Sequence, residues 1–192
     1  MSVESADENF ERKRNEMKTM VGLEIFPSAQ LTYQSCCGKE ICNVCVDKCN
    51  EMNSICPLCR VPFPKTEAEV LARLQRRADK GDKIAQWAMG VAYGHGKYGL
   101  KKNEKRAVQY YEKSAALGHA EAQYNLGSCF RSGTGAKMDK KKALKYFTQS
   151  SEQGNAEAHN TCGIMHYQGE GVERDVEEAL RYFELAAAQG FN

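Results

Sequence analysis

A period of 36 residues runs through the carboxy-terminal half of the chain, and no other feature limits the possible folds as strongly. Residues 118–153 read GHAEAQYNLGSCFRSGTGAKMDKKKALKYFTQSSEQ, and residues 154–189 read GNAEAHNTCGIMHYQGEGVERDVEEALRYFELAAAQ. The two align without a gap. Gly118 meets Gly154, Ala122 meets Ala158, Gly127 meets Gly163 and Gly133 meets Gly169. Further along, Asp139 meets Asp175, Ala143 meets Ala179 and Phe147 meets Phe183. An earlier copy follows the same frame after one extra residue near Tyr98. Intervals of 37, 36 and 36 residues therefore separate Gly81, Gly118, Gly154 and Gly190. Units of this size bury a continuous core by stacking on their neighbours.

Each unit reads as two helices. The first carries apolar and small residues at spacings of three and four, such as Ala122, Leu126 and Phe130, which fall on one face. Small residues such as Ala122 and Gly127 let a partner helix approach closely. Asn103, Asp139 and Asp175 are the expected N-caps of the second helices. Ala143, Leu144 and Phe147 then form the inner face in the middle copy. The turns between the helices hold paired glycines, Gly133 with Gly135 and Gly169 with Gly171, as expected where a helix ends with positive φ.

AEAQYNLG followed by SGTG, and GEGVERDVEEALRYFELAAAQG, resemble the SEL-one-like repeat, a relative of the tetratricopeptide repeat. The resemblance covers residues 82 to 190 and divides into copies at 82–118, 119–154 and 155–190. It implies a right-handed α-solenoid that binds a protein partner and has no chemistry of its own. Trp87, Tyr124 and Asn160 hold equivalent places on the first helices. They are the candidates for lining the concave face, with core packing the competing role for the two aromatics. KTEAEVLARLQRRADKG keeps the frame of a second helix, so residues 65–81 are expected to form a capping and linking helix. At the other end the sequence stops at Asn192, just where a fourth copy would begin. The last apolar face is thus expected to be open, either because the chain is incomplete or because another protein covers it.

The front of the chain obeys different rules. Residues 1–19 are charged, lack an apolar stretch of the kind a signal peptide needs, and are expected to form a disordered tail. Without a secretory signal, a cytoplasmic or nuclear location and reduced cysteines are expected. Seven of the nine cysteines fall between residues 36 and 59. Residues 20–64 have too few apolar side chains for a core, and a segment this short usually needs a metal. Cys42 with Cys45, and Cys56 with Cys59, are Cys-x-x-Cys knuckles of the kind that present two sulfurs to zinc.

CGKEICNVC resembles the middle of a RING finger, and CPLCR resembles its end. That resemblance implies interleaved zinc sites, with Cys37, Cys56 and Cys59 at one of them. Lys39 stands where the template has a histidine ligand, and Cys36 is the substitute. Cys42 and Cys45 then belong to a second, incomplete site, because the pair expected near Met20 and Leu23 is missing. Cys49 and Glu24 are its remaining candidate ligands. By spacing alone, Cys42, Cys45, Cys56 and Cys59 also suit a single zinc, and a metal-free remnant is a third reading. An active RING of this type would recruit a ubiquitin-conjugating enzyme. Pro57 and Arg60 match two of its contact positions, while the third is lost with the missing cysteines.

Other motifs carry less. Gly94-x-Gly96-x-x-Gly99 spells a dinucleotide-binding fingerprint, but it follows a helix and matches the glycine turns of the other copies. His95, His119, His159 and His166 show no ligand spacing, and solvated or interface roles are expected. Lys101, Lys102, Lys140, Lys141 and Lys142 make two repeats basic. Glu170, Glu173, Asp175, Glu177 and Glu178 make the third acidic. A solvated outer face is one reading, and a salt-sensitive contact between opposite-signed ends is the other. The net charge of +2 gives no general attraction to nucleic acid, and no apolar run is long enough to span a membrane.

The expected fold is mostly α, a solenoid of about three helix pairs behind a small irregular zinc-binding module. The expected function is a protein-interaction scaffold, with a RING-type ubiquitin ligase as the alternative. No nucleophile–base constellation supports a hydrolase.

Overall fold

The computed structural model describes residues 64–190 together with two upstream strands, Leu31–Tyr33 (β1) and Glu40–Cys42 (β2). The tail at 1–19 and most of the 20–64 segment lie outside the described residues. Two compact units divide the chain, Met1–Arg73 and Leu74–Asn192. In the first unit, β1 and β2 pair antiparallel, with Leu31 opposite Cys42 and Tyr33 opposite Glu40.

Seven helices are described. α1 (Glu67–Asp79) begins in the first unit and ends in the second. Three pairs follow: α2 (Lys83–His95) with α3 (Glu104–Ala116), α4 (Ala120–Ser132) with α5 (Lys140–Ser151), and α6 (Ala156–Gln168) with α7 (Val176–Ala188). From α2 to α7 each helix packs on its neighbour in sequence, which is the nearest-neighbour order of a solenoid.

The sequence explains where the helices start. Asn103, Asp139 and Asp175 sit in extended backbone, and their side chains accept from the N–H groups of Arg106, Lys142 and Glu178 at about 3 Å. Each such cap stabilises its helix by ~1 kcal/mol. The first helices are capped by the residues that open the copies, Asp82, His119 and Asn155. Asp82 also carries an ion pair from Arg77.

One equivalent bond closes each of the three turns between a first helix and a second. The N–H groups of Asn103, Asp139 and Asp175 reach back to the carbonyls of Tyr93, Phe130 and His166, at 2.8, 2.8 and 3.0 Å. The GHGKYG segment is one of these turns, with Gly96 and Gly99 at positive φ, as the structural reading of its glycines requires.

Within each pair the helices touch through glycine. A Cβ placed on Gly90, Gly127 or Gly163 would stand 2.5, 2.9 or 2.6 Å from the ring of Tyr111, Phe147 or Phe183. Hydrogen therefore occupies the only space left between helix and ring. Phe147 and Tyr111 are buried, together with Ala122, Leu126, Ala143, Cys162 and Met165. Burying one such large side chain stabilises the fold by roughly 1.5–3 kcal/mol. Two buried hydroxyls lock the first two pairs: Ser114 donates to the Lys83 carbonyl at 2.6 Å, and Ser150 to the Ala120 carbonyl at 2.8 Å. In the third pair the equivalent residue is the buried Ala186.

Between pairs, the second glycine of each turn does the fitting. Gly135 and Gly171 have φ of 73° and 75° and lie against the backbone of Glu104 and Lys140, the first residues of the preceding second helices. A Cβ on Gly171 would fall 2.5 Å from the Lys140 carbonyl carbon. Any side chain there would force the repeats apart.

Candidate partner-binding faces

Sequence position alone offered Trp87, Tyr124 and Asn160 as a surface set. Trp87 is half-buried against the core around Ala122 and Leu126, its ring 5.4 Å from that of His119, and its indole N–H is buried without a partner. Tyr124 is also half-buried, 5.4 Å from the Phe147 ring, but one side of it opens into a groove. Asn160 is half-buried and stands beside the groove residue Thr161.

That groove lies between the second and third repeats and has a volume of about 570 Å³. Tyr124, Ser128 and Thr161 come from the first helices α4 and α6, and the exposed Met138 comes from the turn before α5. Its polar wall is a three-residue cluster. Arg131 Nε donates to Glu170 Oε2 at 2.7 Å, and the Lys140 ammonium stands 3.4 Å from Glu170 Oε1. The hydrogen bond from Arg131 holds the Glu170 carboxyl below its ordinary range, and the charges of Arg131 and Lys140 add to the effect against a smaller opposing one from burial. Two cations and one carboxylate leave this wall with a net positive charge. Sequence reasoning missed the cluster because its members are up to 39 residues apart. The one signal was a charged residue, Glu170, in a glycine turn where the middle copy has Thr134.

A second groove, of about 520 Å³, is lined by residues that include His159, Glu178, Arg181, Tyr182 and Leu185. On the same helix, α7, Leu180 and Leu185 are 56% and 49% exposed. Val108, the equivalent of Leu180 in the first repeat, is buried, so the last second helix shows an apolar face.

Two of the histidines are buried, which corrects the solvated role, one of the two expected for them. His119 is buried and caps α4, its Nδ1 accepting from the Ala122 N–H at 3.2 Å. His159 is buried too, with Nδ1 3.1 Å from the Asn155 carbonyl. His95 is exposed, and His166 stacks 5.5 Å from Tyr182.

The two cysteines of the repeats are structural. Burial pushes the Cys129 thiol up to about 11, with the Glu104 charge adding to the effect. Burial likewise pushes Cys162 up to about 11, against smaller opposing hydrogen bonds from Thr148 and Ser151. A raised thiol pKa disfavours the thiolate, which is the nucleophilic form, at neutral pH.

Of the metal candidates, Cys42 is the last residue of β2. Cys36, Cys37, Cys45, Cys56 and Cys59, like the enzyme-contact candidates Pro57 and Arg60, lie outside the described residues. Among the described residues no three His, Cys, Asp or Glu side chains converge on a metal-sized site, and no helix is long and apolar enough to cross a membrane.

Comparison with known proteins agrees with the stacked pairs. The Sel1 repeat model matches residues 83–119, 120–155 and 156–191. A crystal structure of a Sel1 repeat protein from Oxalobacter formigenes superposes with a TM-score of 0.61 at 32% identity, over 64% of this chain. The chain spans half the length of that protein. Helicobacter pylori cysteine rich protein B shares the fold, with a TM-score of 0.50 at 21% identity over 63% of this chain and 91% of its own. No curated protein sequence gives a significant match. Three in-register matches covering more than half of the residues, on helices that stack as pairs, place the chain in the Sel1 repeat family.

Proposed function

We propose that the chain is a protein-interaction scaffold whose solenoid holds a protein partner in the groove between its second and third repeats. Sel1 repeat proteins generally act as interaction scaffolds. The observation that carries the reading here is the groove itself, in which half-buried Tyr124 and exposed Met138 flank a preorganised Arg131–Glu170–Lys140 wall. Aromatic, methionine and arginine side chains are the types enriched where proteins bind one another. The test uses the full chain as bait beside Tyr124→Ala and Met138→Glu variants shown by melting to be folded. Polypeptides retained by the parent and lost from both variants are the expected result. Retention indifferent to both substitutions overturns the groove as the site.

In this reading residues 20–64 form a zinc-stabilised, RING-like module. Cys36, Cys37, Cys56 and Cys59 hold one ion, and Cys42 and Cys45 contribute to a second, incomplete site. The thiol density and the CPLCR spacing support it. Zinc binding worth on the order of 10 kcal/mol would hold so small a module together. Mass spectrometry under non-denaturing conditions should find the polypeptide plus zinc, and the bare polypeptide mass would reject the module. A reducing compartment, cytoplasm or nucleus, suits such thiolates.

The second reading, a ubiquitin ligase in which the repeats select the substrate, rests on Pro57 and Arg60 in the last knuckle. It requires ubiquitin chain formation by the purified chain with a panel of conjugating enzymes, lost on Arg60→Ala. An inactive parent chain removes it.

A further inference from the structure

One edge of the solenoid collects every turn from a first helix to a second, and its charge follows the repeat register. Three columns of equivalent residues run along it: Lys101, Lys137 and Glu173; Lys105, Lys141 and Glu177; Arg106, Lys142 and Glu178. In each column two cations are followed by an anion. The reversal is confined to the third repeat.

Helix physics does not account for the cations. Lys105 and Arg106 lie in the first turn of α3, and Lys141 and Lys142 in that of α5. The helix dipole favours carboxylates there, as Glu177 and Glu178 are placed in α7. Internal pairing does not account for them either. Lys102 meets Glu104 at 2.7 Å and Lys142 meets Asp139 at 3.9 Å, but Lys101, Lys105, Lys137 and Lys141 are exposed and form no ion pair among the described residues.

Two of the cations, Arg106 and Lys142, are also held in place. Arg106 lies over the Tyr93 ring at 5.4 Å, and Tyr93 stacks on Tyr110. Lys142 lies over Phe130 at 5.6 Å, and Phe130 stacks on Tyr146. Two equivalent rows of cation, ring and ring therefore present positive charge at fixed positions. Between the first two turns a groove of about 460 Å³ runs past Lys102, Lys105 and Lys137 and over the bare backbone of Gly133 and Gly135.

We propose that this edge binds a short polypeptide segment of split charge, acidic where it crosses the first two repeats and basic where it crosses the third. The proposal rests on the scaffold reading; its charge columns run beside Met138 and Lys140 of the groove but do not include Tyr124. With helices packed about 10 Å apart, two steps of the stack span roughly 20 Å. An extended chain covers that in about six residues, at ~3.3 Å each. The acidic third repeat repels a longer polyanion that would follow the edge, which favours such a segment over nucleic acid.

Fluorescence anisotropy on the full chain tests this with three labelled probes: EEEEGKKK, its charge-alternating isomer EKEKGEKE, and an eight-nucleotide oligothymidine. The first should bind at least fivefold more tightly than the others and weaken steeply as salt rises from about 50 to 200 mM. Lys105→Glu with Lys141→Glu writes the third repeat's residue into the other two. This variant should lose at least tenfold in affinity while melting no lower than the parent, because the substitutions favour the helix dipoles. Tyr124→Ala should leave peptide binding unchanged. Equal affinity for the isomers, tighter binding of oligothymidine, or undiminished binding by the double variant overturns the proposal. The groove reading is judged separately, by the Tyr124→Ala and Met138→Glu variants in the retention experiment.

Discussion

At the scale of single residues, three equivalent glycines occupy unequal surroundings. Gly90 and Gly127 face the buried rings of Tyr111 and Phe147, whereas Gly163 faces Phe183, which is only partly buried. Alanine in a helix gains up to about 1 kcal/mol over glycine, and overpacking a tight site costs ~1–3 kcal/mol. Gly127→Ala should therefore lower stability by about 1–2 kcal/mol in urea denaturation, since the Phe147 ring has nowhere to move. Gly163→Ala should be close to neutral, because Phe183 can turn outward. Equal losses at both positions would contradict this use of ring burial. The thiols make a second pair of reporters. With Cys129 and Cys162 pushed up to about 11, roughly one in ten thousand is thiolate at pH 7. Both should resist alkylation in the folded chain and react once it is denatured. A native count of modified thiols then reads only the cysteines of the front segment.

At the scale of elements, the caps of the second helices were legible in the sequence because Asn and Asp cap through their own side chains at fixed offsets. The cap of α4 was not, since His119 is an uncommon cap whose ring also packs against Trp87 in the preceding repeat. The same limit hid the groove wall. Arg131 and Glu170 belong to different copies, and repeat periodicity says which positions are equivalent but not which ones touch. The zinc-module spacing was readable, but its geometry falls outside the described residues. Caps also predict an inequality. Asp139→Ala strips the α5 terminus of its acceptor and leaves Lys140, Lys141 and Lys142 facing the dipole. The expected loss is ~1–2 kcal/mol, toward the upper end for a cap. Asp175→Ala should cost less, because Glu177 and Glu178 still offset the terminus of α7. Melting temperatures of the two variants, compared at equal salt, check the order.

At the scale of the whole molecule, the Arg131–Glu170 contact joins two repeats, so its protonation state bears on how they stack. The Glu170 carboxyl is lowered in the folded chain, so it favours folding above its unfolded value. That contribution fades as pH falls through the folded value. For a pair with side chains 32% and 20% exposed it amounts to a few tenths to about 1 kcal/mol. Glu170→Gln should remove this part of the acid sensitivity, which shows as a flatter dependence of the urea midpoint between about pH 5 and pH 3. An unchanged slope would place the sensitivity elsewhere. The frame accommodates an irregular loop. In the first turn, Tyr98 takes a φ of 56° and takes up the one surplus residue, yet α2 and α3 keep the same closing bond to Tyr93. Evolution can thus lengthen this loop like a splice in a cable, leaving the strands on either side under the same tension. A short reporter sequence inserted after Tyr98 should ride on the outside of the stack while every helix downstream keeps its place.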